Sequence, residues 1–305
     1  MKLSLGDSVE WRVLRIMVCA YALPLSKIYT LKAFKKVFLD LIHCHYVVYE
    51  KAGILHRDLS VSNLMFRLST RGPFGVLNDW DLSEDVAERK QDGSQKHPAA
   101  RHRTGTAPFM ALELLYEKLP CHLYCHDLKS FVWILIWCAL HFDLQGCEKP
   151  LLPVVKSWTR GDWKDIQGHK MNLLTGQREG LRKLYAKINP AFAEIVKSWI
   201  IPLVNMPSKA YAAMHACDTS NQSTLPKPAP VVAQEKDFSE MYGDAEVIDD
   251  MDGKEDADLL TDNAAIGNQD VQEQNGPWDE ETLRGLMTFA KFMAAIGESA
   301  DIPDL

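Results

Sequence analysis

The apolar positions of this chain fall into distinct periods, and the periods divide it into segments. From Leu31 they recur at helical spacing through Phe34, Phe38, Leu41, Ile42, Val48, Tyr49 and Ala52, and Gly53 then supplies a left-handed stop. That pattern predicts one long amphipathic helix. Upstream, Arg12 to Ala22 reads as a strand leading into an extended connection. Downstream come two short apolar strands, Leu64–Leu68 and Gly75–Leu77, and then a polar, charged, loop-like stretch from Ser83 to Arg103. The longest unbroken apolar run, Phe131 to Leu140, has ten residues. It suits a buried helix and is too short to cross a bilayer. Asp127 precedes it where an N-cap belongs. Helical spacing returns over Leu181–Ile188 and Phe192–Ile201, with Pro190 between them.

Near Met206 the character changes. Residues 207–234 are rich in Ser, Thr, Asn, Ala and Pro and read as linker. Residues 235–262 hold twelve acidic side chains against two lysines, too little apolar content to offset chain entropy, so disorder is expected there. A last amphipathic helix is expected at Asp279–Gly297, with Leu283, Leu286, Met287, Phe289, Phe292, Met293 and Ile296 on its apolar side. It could dock on the body or bind a partner protein. The expected domains are thus 10–205 as the folded body, 206–277 as linker and acidic segment, and 278–298 as a terminal helix.

Charge sharpens that division. The net charge of the 305 residues is −7, yet residues 235–305 carry −16, which leaves +9 on the first 234. A mildly basic body with an acidic tail follows. The body shows no basic, aromatic-rich stripe, so no nucleic-acid partner is expected. Seven irregularly spaced cysteines do not form a secreted disulfide framework and point to a reducing, intracellular compartment, cytoplasmic or nuclear. Val13–Leu25 has the apolar character of a signal peptide, but Asp7 and Glu10 stand where its positive region belongs. No membrane partner is expected.

The candidate chemistry lies in two short strings. His56-Arg57-Asp58-Leu59-Ser60-Val61-Ser62-Asn63 sets an Asn five residues after an Asp, and Asn78-Asp79-Trp80-Asp81 follows a hydrophobic strand. Asp79 comes sixteen residues after Asn63. Phosphoryl transfer needs three such oxygen-bearing side chains: a carboxylate facing the attacking hydroxyl, and an amide and a second carboxylate for magnesium. Two further strings come later, Arg103-Thr-Gly-Thr-Ala-Pro-Phe-Met-Ala-Leu-Glu113 and His122-Leu-Tyr-Cys-His-Asp-Leu-Lys-Ser-Phe131. Cys121, Cys125, His122 and His126 could suggest zinc, but a C-x3-C spacing is not distinctive for it.

Together with Lys51–Ser60 and Leu77–Ser83, these strings resemble the fungal-type protein kinase family over roughly residues 10–205, and the Trp158–Leu173 stretch also fits. The resemblance implies a mainly α, protein kinase-like C-lobe with short β strands around the catalytic loop, followed by the acidic tail. It implies a Ser/Thr-type transfer of the ATP γ-phosphoryl to a protein substrate, with ATP and Mg²⁺ as cofactors. Asp58 would orient and deprotonate the substrate hydroxyl, and Asn63 and Asp79 would hold Mg²⁺, with Asp81 the other candidate ligand. Met65 would lie under the adenine, and backbone groups at Cys19, Ala20, Tyr21 and Ala22 would form the hinge that reads its edge. His56 and Arg57 would order the catalytic loop and activation segment. Thr104 and Thr106 would shape the substrate groove as turn residues or phosphosites, Glu113 would pin the segment to a later Arg, and Asp127 would brace the loop backbone.

The pattern departs from most kinases in three places. Ser60 stands where a Lys contacts the γ-phosphate in most of them, and Asp81 replaces the hinge Gly of Asp-Phe-Gly. No G-x-G-x-x-G occurs in the sequence, and with a hinge near residue 20 most of an N-lobe is missing. The chain as given is therefore expected to bind Mg-ATP weakly and could be inactive. Two alternatives stay open. One is a pseudokinase or interaction module that binds partners through the C-lobe and tail helix. The other is a small-molecule kinase of the aminoglycoside or choline type, against which the Gly105–Glu113 segment argues.

Overall fold

A computed structural model of the chain describes residues 20–86, 103–175, 178–222, 279 and 281–302. The predicted long helix is α1, Leu31–Ala52. Thr30 caps it by accepting the Ala33 amide, and Gly53 ends it at φ 67°, its amide returning to the Tyr49 carbonyl. Two turns of loop lead to β3 (Leu64–Ser69) and β4 (Gly72–Leu77), an antiparallel hairpin longer than its apolar cores suggest. A two-residue strand, β1 (Leu23–Pro24), adds to β3 with Leu23 opposite Phe66 and Pro24 opposite Met65. The strand read over 12–22 thus begins only at Leu23 within the described residues. A second small ladder pairs β2 (Ile54–Leu55) with β5 (Glu84–Asp85).

The apolar run becomes α2, Tyr124–His141, in which every residue but Trp137 is buried. A helix closed in on all sides is a core helix. Asp127 is not its N-cap: the helix starts at Tyr124 with Leu123 as cap, and Asp127 lies inside the first turn, buried. The helices α3 (Trp163–Thr175) and α4 (Arg178–Tyr185) follow, then short helical turns, then α5 (Ile201–Gln222). Phe34 and Phe38 of α1 meet Phe192, Phe131 and Trp199 with ring centroids 5.0, 5.9 and 6.4 Å apart, and this aromatic cluster ties α1, α2 and the turns before α5 into one core.

Two segment boundaries are corrected. The expected linker begins inside α5, because Ala210 and Tyr211 are buried and hold residues 207–222 in helix. The terminal helix is shorter than expected: α6 spans Phe289–Ala295. Leu283, Arg284 and Gly285 have φ of 53°, 57° and 73°, a left-handed run no helix tolerates, so helix starts only after Thr288, whose side chain caps it. The apolar side of this segment packs on the body, with Leu283, Met287, Phe289, Phe292, Met293 and Ile296 buried. Most of the expected acidic segment lies outside the described residues. No helix of the described residues is long and apolar enough to cross a membrane.

The hairpin is held close under α1 by one glycine. A Cβ at Gly75 would sit 2.7 Å from the Val37 carbonyl oxygen and 2.8 Å from Leu41 Cγ, while the Gly75 amide donates to Asp40 at 3.1 Å. Because the nearer obstacle is backbone, relief requires moving α1 off β4. Gly75→Ala should destabilise the fold by about 1–3 kcal/mol, read as a lower urea midpoint at unchanged slope; an unchanged midpoint would show that α1 has room to move.

Candidate active site

The hairpin register sets the site. Leu64 faces Leu77 across β3 and β4, and the next rung is the Asn78 amide donating to the Asn63 carbonyl at 2.9 Å. Asn63 therefore stands immediately before one strand and Asp79 two residues past the end of the other. Asn63 Nδ2 donates back to the Asp58 carbonyl at 2.9 Å, which fixes the amide's orientation and the turn between Asp58 and Asn63. Ser60 and Ser62 hydroxyls pair within that turn at 2.7 Å. Asp79 is exposed, with φ 62°, a left-handed conformation that a short polar side chain tolerates. The unusual backbone of this loop thus falls on Asp79; Asp81 has no positive φ. Trp80 anchors the turn through Nε1 to the Leu77 carbonyl at 3.2 Å and against the His56 ring, 4.6 Å between centroids.

His56 is buried and locked as a neutral tautomer. Its Nε2 donates to the Asn78 carbonyl at 2.9 Å, and Nδ1 faces the Asp58 amide at 3.4 Å. Burial pushes its pKa down, against the opposing pull of that carbonyl and Asp127. Arg57 follows at φ 69°, a conformation that costs roughly 1–2 kcal/mol for a non-glycine residue. What holds it is three partners, Thr104, Glu84 and Asp127. Its guanidinium donates to Thr104 at 3.2 Å and pairs with Glu84 of β5 at 3.5 Å. Its amide faces the Asp127 carboxylate at 3.4 Å, beside the His56 amide at 3.2 Å.

Asp127 also accepts from His45 Nε2 at 2.8 Å and His122 Nε2 at 2.7 Å. Burial alone would raise its pKa, but His122 and His45 outweigh it and hold the carboxyl well below the usual range. The side chains of His122 and Cys125 thus belong to the packing around Asp127, and among the described residues no group of three His, Cys, Asp or Glu side chains could hold a metal ion.

The segment Arg103–Glu113 closes over this loop. The Thr106 hydroxyl donates to Asp58 Oδ1 at 2.9 Å, so two predicted residues far apart in sequence meet at one carboxylate. Glu113 does not reach an arginine. It is buried between Lys129 of α2 and the Tyr211 hydroxyl of α5, in contact with both. Lysine takes the arginine's place because α2 runs directly beneath the segment. Arg103 instead donates to the carbonyls of Leu114 and Tyr116, at 2.9 and 2.6 Å, and lies over the Trp163 ring.

Lys170 of α3 was missed by sequence reasoning. Fully buried, it donates to the carbonyls of Pro108 and Met110 at 3.0 and 2.6 Å and sits 4.2 Å from the Trp133 ring centre. Burial pushes its pKa well down. A signal existed: Lys170 falls four residues after Ile166 and four before Leu174, a cation in an apolar row.

The expected adenine floor lies on the far face of the hairpin. Leu64 and Phe66 point into the core, while Met65 and its cross-strand partner Val76 are half-buried on the other side. Arg67 donates to the Ala20 carbonyl at 2.7 Å and so ties the expected hinge to β3. Tyr21 is 82% exposed and Ala22 half-buried beside it. Cys19 lies outside the described residues. For a magnesium nucleotide the fit is consistent as far as the donors go. One amide oxygen and one carboxylate are hard ligands of the kind magnesium shares with phosphate and water, and they adjoin a half-buried apolar floor.

This loop, hairpin and buried Asp on a mainly helical body are what a protein kinase-like fold requires. The fungal protein kinase family model matches residues 5–139, a stretch that contains Asp58, Asn63, Asp79, Thr106 and Asp127. The match supports a fungal-type protein kinase family for this stretch of the chain. No curated protein matches the chain.

The pKa shifts fix a pH dependence of stability. His126 is pushed down to about 3 by burial, against the attraction of Glu113. Burial would raise the Glu113 pKa, but Lys129 and His126 hold it below its ordinary 4.5. Both groups bind fewer protons folded than unfolded, so both contributions are complete above pH 6.5. The His126 share is lost as pH falls below 6.5, and the Glu113 share as it falls below 4.5. Glu113→Gln leaves Lys129 buried without its counter-charge, which should cost about 3–5 kcal/mol at neutral pH. Urea unfolding from pH 7 down to about pH 2 should show that loss and a shallower decline below pH 4.5 in the variant; parallel curves would place the titration elsewhere.

Proposed function

We propose that the described residues form the C-lobe of a Ser/Thr protein kinase, with Asp58 as the base that orients and deprotonates the acceptor hydroxyl. The observation that carries this reading is the Thr106 hydroxyl donating to Asp58 Oδ1 at 2.9 Å. It supports the reading because this carboxylate accepts a β-hydroxyl at a distance that general-base catalysis uses. A substrate serine or threonine would offer the same group from the open side of the groove.

The remaining residues fall into roles around that base. Asn63 and Asp79 would hold magnesium on the nucleotide phosphates, with Asn63 already oriented by its bond to the Asp58 carbonyl. Met65 and Val76 would support the adenine, and the backbone at 20–22 would meet its edge. Bound magnesium supplies neutralisation of charge on the transferred phosphoryl group. The protein's own part is positioning, which is most of what phosphoryl-transfer catalysis asks of it. Arg57, Thr104 and Lys170 hold the substrate-facing turn, and Asp127 holds the loop backbone.

Together with an N-lobe that covers the nucleotide phosphates, these residues should transfer phosphate from Mg-ATP to serine- or threonine-containing peptides, whereas the chain alone should bind Mg-ATP weakly. Asp58→Asn should lower that turnover by about 10²- to 10⁴-fold while changing ATP affinity little. Radiolabel transfer to a peptide library, with calorimetry for ATP, decides it. Undiminished turnover in the variant would remove Asp58 from the role, and transfer only to tyrosine would overturn the substrate class.

A further inference from the structure

The C-terminal segment is joined to the catalytic loop by an unbroken series of contacts. Phe289 lies flat on Tyr46 of α1, with ring centroids 3.7 Å apart and planes within 4°. Nearly one turn along α1, Tyr49 donates its hydroxyl to Glu281 at 2.9 Å and stacks on Tyr124 at 4.4 Å. Tyr46 meets the same Tyr124 edge-on at 6.1 Å. Tyr124 then stacks on His45 at 5.2 Å, and His45 donates to the Asp127 carboxylate that receives the His56 and Arg57 amides.

The middle of this series carries two buried polar atoms. Tyr124 Oη and His45 Nδ1 are buried without a hydrogen-bond partner among the described residues. A buried polar atom left unpaired carries a desolvation penalty that exposure relieves. The apolar contacts of the terminal segment oppose that relief, since Phe292 and Met293 are 0% and 1% exposed and belong to the same core. Covering the stack and opening it are therefore closer in free energy than they would be for a purely apolar core.

We propose that residues 281–297 are a positioning element for the catalytic loop: Phe289 and Glu281, seated on Tyr46 and Tyr49, fix Tyr124 and His45 and, through Asp127, the backbone of His56 and Arg57. The catalytic consequence rests on the reading of Asp58 as the base; the coupling itself does not. The stretch 223–278 connects the segment to α5, and the closure cost of a connection grows only slowly with its length, so covalent attachment favours the seated state. The segment is thereby a ligand of its own body, recognised by aromatic stacking and one hydroxyl–carboxylate bond.

The test is amide hydrogen exchange in the full chain, with no phosphotransfer read. Unseating the segment with Phe289→Ala and Phe292→Ala together should make the His56 and Arg57 amides exchange about tenfold faster, with α3 unchanged. A synthetic peptide of residues 279–302 added in trans should restore their protection, which a general loss of stability would not allow. Should the double variant fail to fold, Thr288→Ala removes only the cap that accepts the Lys291 amide and gives the graded form of the same experiment. If residues 289–295 exchange freely while His56 and Arg57 keep their original rates, in either variant, the proposal is wrong. Failure of Asp58→Asn to lower turnover would instead strike the kinase reading and leave this coupling standing.

Discussion

Four donors from three separate stretches of chain converge on the carboxylate of Asp127. His45 comes from α1, His122 from the approach to α2, and the amides of His56 and Arg57 from the catalytic loop. An ionised carboxylate in the interior is expensive unless it is hydrogen-bonded, and here three donors meet Oδ2 and one meets Oδ1. The same bonds solve a second problem. Arg57 sits in a left-handed conformation that isolated backbone avoids, and the carboxylate accepting its amide helps hold it there. Strain at Arg57 places Asp58 and Asn63, so the loop's geometry is maintained from beneath by a residue that need never touch substrate.

A second buried charge cluster does comparable work for the segment above the loop. Glu113, Lys129 and Tyr211 join the segment to α2 and α5, and Lys170 holds two of its carbonyls from α3. Buried charge adds little net stability compared with a well-packed apolar substitute. Its worth lies in geometry: a lysine facing two carbonyls permits one arrangement of Pro108 and Met110, where packing alone would permit several. Thr106, two residues before Pro108, then meets Asp58 at hydrogen-bond distance. Both clusters thus bear on the same carboxylate, one through the loop and one through the segment facing it.

The legible parts of this protein were those written in local sequence. Helical spacing and Gly53 marked α1, and the apolar run marked α2, because periodicity and turn chemistry act over a few residues. The illegible parts turned on distant partners. Asp127 looked like an N-cap because an acid before an apolar run usually is one, and only the placement of His45, 82 residues away, shows otherwise. Glu113 was expected to meet an arginine and met Lys129 and Tyr211 instead. Residues 207–222 had linker composition, yet Ala210 and Tyr211 found a core to bury in and kept α5 helical.

What the sequence determined by itself was the set of elements and the identity of the chemical groups: long helix, hairpin, buried helix, and the Asp, Asn and Asp of the proposed site. Those follow from spacing and side-chain type, which travel with the chain wherever it folds. The tertiary structure decided which groups would be charged, strained or paired, and what the terminal segment would cover. Burial and long-range contact set those outcomes, and neither exists until segments far apart in sequence share one interior.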